Sequence, residues 1–319
     1  MVITQHLRID HPKLGPSDFA GLFGASEDSI SQECRDIIDE CDFQFRHATS
    51  VERDEILLTI LKRLDTFAFN AAGEENQPRW EDGWRENLRD FLRLDRDLDQ
   101  LIPRYWRPGQ PLRLRQSHIL PFNNDFEYNW FRVFRLWLFQ TYLGPFDSIY
   151  EFGCGPGYNL PVLAELYPDK RIYGLDWAKS SVEIANELAS TYGWDIHGIL
   201  FDFFDPDSEL RLDKNSVVMT IGALEQTGRN YGKFLDYLMY ARPKLCIHIE
   251  PIVEWYDENN LIDYTAIRFH KQRKYLEGLP NALIELEREG KAEILKQNRT
   301  RFGSLFHEGF NQLIWRPTP

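Results

Sequence analysis

A chain of 319 residues is too long for one core of ordinary size and suits two domains. Apolar residues make up 43% and charged residues 27%, which excludes compositional disorder. The formal net charge of −13, with no basic stripe to offset it, would repel nucleic acid and anionic membrane surfaces, so the expected partner is a small molecule.

The opening stretch, MVITQHLRIDHPKLGP, lacks a charged-then-apolar leader, and no run approaches the ~20 apolar residues of a membrane span. A cytoplasmic location is expected. Residues from about 17 to 105 read as helices: Ile38, Cys41 and Phe45 share one helical spacing, and Ile56, Leu57, Ile60, Leu61 and Leu64 another. A third helix carries Trp80, Trp84, Leu88 and Leu92. Pro103, Pro108 and Pro111 punctuate a connector, which sets the expected boundary between an N-terminal helical domain (1–115), serving as lid and substrate wall, and a second domain (116–319). Phe126, Trp130, Val133, Phe134, Trp137 and Leu138 form an aromatic stripe at helical intervals, which predicts a helix docked on the following sheet. From Ser148 short apolar strands alternate with amphipathic helices, the pattern of a parallel sheet covered on both faces. The strands are expected at Ser148–Phe152, Arg171–Leu175, Ile196–Phe201, Ser216–Ile221 and Leu245–Ile249. A helix through Tyr275–Glu289 follows, and then two strands, Ala292–Arg299 and Phe310–Trp315, close enough in sequence to pair antiparallel.

The chemistry concentrates in Glu151-Phe152-Gly153-Cys154-Gly155-Pro156-Gly157, where the first of these strands gives way to a helix. Glycines there permit a tight turn and a close approach of backbone to ligand. The sixth position of a dinucleotide fingerprint is occupied by Tyr158 or Leu160, depending on the frame, instead of a small residue, which disfavours a nicotinamide cofactor. Glu151 puts a carboxylate at the strand end, repelling a pyrophosphate and suiting an ammonium. Asp176 ends the second strand, where a carboxylate accepts from ribose hydroxyls. Asp202 and Phe203 end the third and offer an acceptor and a face to an adenine. Together these describe a ligand with an amino acid end, a ribose and an adenine.

Over roughly residues 125–317 the chain resembles the class I S-adenosylmethionine-dependent methyltransferase family, in EFGCGPG, in the acid of GLDW, in FDFFDP and in the final strand pair. The resemblance implies an α/β, Rossmann-like, seven-stranded and mostly parallel sheet whose last strand runs antiparallel between its neighbours. It implies S-adenosylmethionine as cofactor, held by Glu151, Gly153, Gly155, Gly157, Asp176, Trp177, Asp202 and Phe203. Ligands of such sheets bind outside the carboxyl ends of the strands. That rule nominates Glu225, Glu250 and His307 for catalysis, with His307 as general base oriented by Glu308. A small polar acceptor such as a sugar or hydroxylated metabolite is expected, with oxygen favoured over nitrogen or carbon. A cofactor-binding scaffold without activity is the alternative. Cys34, Cys41, Cys154 and Cys246 form no CxxC pair, so reduced thiols and no metal site are expected.

Overall fold

The computed structural model of the protein describes residues 11–66 and 69–318. Residues 1–10, most of the stretch read above for a leader, lie outside them. The first elements are α1 (Pro16–Phe23), α2 (Gln32–Glu40), β1 (Phe45–His47), α3 (Ser50–Thr66) and α4 (Gln77–Arg93). Next come β2 (Leu112–Leu114), β3 (Ser117–Pro121) and α5 (Phe126–Tyr142). An alternation follows: β4 (Ser148–Phe152), α6 (Leu160–Leu166), β5 (Arg171–Asp176), α7 (Lys179–Tyr192), β6 (Ile196–Leu200), β7 (Ser216–Ile221), α8 (Gly232–Ala241) and β8 (Leu245–Glu250). The remainder is α9 (Leu261–Arg273), α10 (Leu279–Arg288), β9 (Ala292–Asn298), β10 (Phe302–Gly303) and β11 (Asn311–Pro317).

The large sheet has the order β6-β5-β4-β7-β8-β11-β9. Its first five strands run parallel, and β11 enters antiparallel between β8 and β9. This is the expected Rossmann-like sheet with its antiparallel last strand. Every residue of β4 and β8 is buried, as helices on both faces require. Strand bounds fall within two residues of those predicted. The aromatic stripe of α5 is core: Phe126, Trp130, Val133, Phe134, Trp137 and Leu138 are all buried in one cluster with Phe19 and Phe23 of α1.

Two departures from the expected elements have local causes. The run Ile38, Cys41, Phe45 is not one helix, because Cys41 is extended and the Asp42 carboxylate accepts from the Gln44 amide, turning the chain into β1. The helix expected from Tyr275 begins only at Leu279, with Pro280 in its first turn and Gly278 at φ 103° before it.

A second sheet, β1-β3-β2-β10, antiparallel throughout, is not among the expected elements. The boundary placed between residues 115 and 116 falls at the tip of its β2–β3 hairpin, and β10 comes from the connection between β9 and β11. Arg113 of β2 is wholly buried and donates to the Ile262 carbonyl at 2.6 Å and Thr265 Oγ1 at 2.8 Å. Below it Arg299 bridges two buried carboxylates, Asp263 at 2.6 Å and Glu308 at 2.6 Å. Arg113 fastens α9 and the 300–310 loop to the N-terminal region, and Arg299 ties α9 to the end of that loop. Among the described residues all four cysteines are free thiols, and no helix is long and apolar enough to cross a membrane.

Candidate functional site

The carboxyl end of β4 runs straight into the glycine turn. Gly153, Gly155 and Gly157 all have positive φ (71°, 55° and 69°), a region that disfavours any side chain. A Cβ on Gly153 would also collide with the Ala223 methyl. Beneath the turn Glu151 is 2% exposed; its Oε1 accepts from Asn159 Nδ2 at 2.6 Å, and its Oε2 has no partner among the described residues. Burial pushes this carboxyl up to about 8, against the pull of the Asn159 amide and the Arg135 charge. An unpartnered buried carboxyl oxygen is costly, and a ligand ammonium would satisfy it.

Asp176 closes β5 and reaches across to the turn, accepting from the Gly155 amide at 2.8 Å and the Ala178 amide at 2.9 Å. Each oxygen keeps a second lone pair, and Asp176 lines a cleft of about 480 Å³ with Gly153, Gly155, Trp177 and Phe203. Burial raises its carboxyl to about 6. Asp202 stands apart from this wall. Its Oδ1 accepts from the Phe204 amide at 2.8 Å, which folds the turn that sets Phe203 and Phe204 on the cleft. Trp177 stacks on Phe204, centroids 5.8 Å apart, making a flat aromatic slot.

Three cleft residues escaped the sequence reading. Trp80 and Trp84 of α4, stacked at 5.3 Å, cover the glycine turn from the opposite side, with the Trp84 ring against Gly155. Helical spacing marks both as core candidates but cannot say which distant element they face. Phe204 was hidden by its neighbour, since alternate exposure along FDFFDP is decided by the turn.

A second chamber of about 1390 Å³ adjoins the cleft, Trp80 and Gly222 lining both. Its wall includes Glu127, Glu225, Arg273, Tyr275 and His307.

No protein-family model matches the sequence, and no curated protein matches it significantly. Among solved structures, the O-methyltransferase from a trans-AT PKS multienzyme of Brevibacillus brevis, in complex with S-adenosyl-L-homocysteine, has a TM-score of 0.42 and 14% identity, covering 57% of this chain and 70% of its own. The geranyl diphosphate C-methyltransferase of Streptomyces coelicolor A3(2) has a TM-score of 0.45 and 9% identity, covering 73% and 98%.

The three residues nominated for catalysis occupy different settings. His307 lines the chamber, but Glu308 does not orient it, because both Glu308 oxygens are taken by Arg299 at 2.6 and 2.9 Å. Burial, with the positive charges of Arg113 and Arg273, lowers its imidazole to about 3, so the ring is neutral and weakly basic. Glu250 is wholly buried and spends both oxygens on the amides of Ala223, Leu224 and Glu225 at 3.0–3.2 Å. It positions the loop after β7. Glu225 is half-buried on the chamber wall and accepts from Gln226 Nε2 at 2.9 Å. Burial, and then the negative charge of Glu250, push its carboxyl up to about 8.

Proposed function

We propose that the protein is an S-adenosylmethionine-dependent methyltransferase acting on a hydroxyl of a small acceptor. The observation that carries this reading is the unpartnered, buried Oε2 of Glu151 beneath a three-glycine turn, in line with the Asp176 carboxylate and the aromatic slot. Glu151 would hold the cofactor's ammonium, the glycine turn its methionine chain, Asp176 the ribose, and Trp177 with Phe203 and Phe204 the adenine. When bound, the cofactor supplies an electrophilic methyl group on a sulfonium. Trp80 and Trp84 exclude water from the reacting centre, which strengthens every charge interaction there. The acceptor lies in the second chamber and approaches past Gly222. Glu225, as carboxylate, would take the proton of the acceptor hydroxyl as that oxygen is methylated. A carboxyl near 8 is well matched to that task around neutral pH. Asp202 orders the turn below the adenine slot, and Glu250 holds the Glu225 loop.

The direct test is calorimetric titration of the full chain with S-adenosylmethionine and with NAD, followed by transfer of labelled methyl groups to fractionated small molecules. Binding of NAD alone overturns the reading. Tight cofactor binding without turnover on any fraction favours the inactive scaffold instead. Asp176→Ala is expected to weaken S-adenosylmethionine binding roughly 30–150-fold, as about 2–3 kcal/mol is lost with two hydrogen bonds to a charged acceptor. Unchanged affinity in a folded variant rejects Asp176 as the ribose ligand.

A further inference from the structure

Four arginines from four separate segments converge on the second chamber: Arg63 of α3, Arg79 of α4, Arg107 of the connector before β2, and Arg273 at the end of α9. None of them forms a salt bridge among the described residues, although their sequence neighbours do. Arg85 on α4 pairs with Glu81, Arg104 in the connector with Glu86 and Asp90, and Arg268 on α9 with Asp65. In a chain of net charge −13 carboxylates are abundant, so four cavity-facing guanidiniums left without one are not a by-product of composition. Three are held by aromatic faces instead of by anions. Arg63 lies over Phe306 at 5.7 Å, Arg79 over Trp80 at 5.8 Å and Arg273 over Tyr275 at 4.8 Å. Stacking fixes the plane of a guanidinium and leaves its N–H edge free to fork onto an oxyanion. The buried Nε of Arg273 has no acceptor among the described residues. The two acids on the same wall offset this charge only in part at neutral pH: burial raises Glu127 to about 7 and Glu225 to about 8.

We propose that the chamber binds a small, multiply charged oxyanion, a phosphate ester or a polycarboxylate, with the arginines on its head group and the aromatic wall against its body. Arg273 anchors the anion at depth, and Arg63, Arg79 and Arg107, which are exposed, capture it at the mouth. Calling this ligand the methyl acceptor rests on the methyltransferase reading; the anion site itself does not.

The experiment is calorimetric titration of the full chain at low ionic strength with pyrophosphate and with citrate, each with and without S-adenosylhomocysteine. Saturable binding of at least one probe is expected. Arg273→Gln, and separately the surface triple variant Arg63→Gln/Arg79→Gln/Arg107→Gln, should each weaken it about tenfold or more, since every lost contact is a charge-assisted one. Arg85→Gln, outside the chamber, should change nothing. Tighter pyrophosphate assigns a phosphoryl head group, and tighter citrate a carboxylate one. The proposal is overturned if neither probe saturates, if the folded triple variant binds like the parent, or if Arg85→Gln weakens binding equally. Titration of the same samples with S-adenosylmethionine separates the two readings. Arginine-dependent anion binding without cofactor binding leaves the anion site standing and removes the methyltransferase.

Discussion

Glu225→Gln is expected to slow single-turnover methyl transfer by about 10²–10⁴-fold while leaving S-adenosylmethionine binding unchanged. Glutamine keeps the shape of the side chain and its hydrogen bond to Gln226, but it cannot take a proton. Because burial and the Glu250 charge hold the carboxyl near 8, only a minor fraction is ionised at neutral pH. The parent rate should therefore climb as pH rises through about 8, and the variant should lose that limb. His307→Ala should keep it, since an imidazole lowered to about 3 contributes no titration in that range. A parent-like rate and profile in Glu225→Gln would refute the base assignment. The same group bears on stability. Its folded value lies above the unfolded one, so its contribution is fully present below the usual glutamate range near ~4.3 and is lost as pH rises through about 8. Glu225→Gln should accordingly melt at the same temperature as the parent in acid and above it at alkaline pH.

Arg299→Met is expected to destabilise the fold by about 3–5 kcal/mol, read from urea unfolding. The guanidinium bridges Asp263 and Glu308, whose side chains are 0% and 1% exposed, and its removal leaves two buried carboxylates without the charge they are bonded to. The loss should shrink in acid: against the penalty of burial, the bond to Arg299 holds Asp263 below its ordinary value, and that stabilisation disappears as Asp263 is protonated. Adding Asp263→Asn and Glu308→Gln to Arg299→Met should recover much of it, because the penalty lies in the orphaned charges and not in the missing side chain. Equal instability of the single and triple variants would place the effect in packing alone. Two pieces of the structure hang on this bridge: the 300–310 loop, which carries His307, and α9, which carries Arg273.

What the sequence made legible is what local pattern controls. Five parallel strands announced themselves through short apolar runs, with helical segments between all but β6 and β7, which a loop joins, and the glycine turn, Glu151 and Asp176 lie within a few residues of strand ends. The small sheet did not, because β1, β2 and β10 are three, three and two residues long, too short for any alternation to register. The chamber was hidden for a different reason. Its arginines lie far apart in the chain and share no spacing; the packing of α3 on α9 brings Arg63 near Arg273, and that of α4 on α7 places Arg79. His307 was overvalued because its glycine-flanked setting reads as an open loop, whereas Phe269, His270 and Tyr275 pack around it and Arg113 and Arg273, distant in sequence, set its charge.

The pairing of β10 with β2 also constrains how the chain reaches its native state. Arg113 and its partner Leu305 lie 192 residues apart, and the Lys296 ammonium donates to the Phe23 carbonyl across 273. The N-terminal hairpin therefore has no partner for its outer edge until Phe302 and Gly303 have left the ribosome. Contacts this distant must bear the closure entropy of a very long loop before they stabilise anything, which slows the committing step. During that interval Leu112 and Leu114 sit on an unpaired strand edge, a template for aggregation between nascent chains. Folding of this protein is thus a late, largely concerted event, and its recovery in the cell should depend on chaperones that shield the N-terminal third.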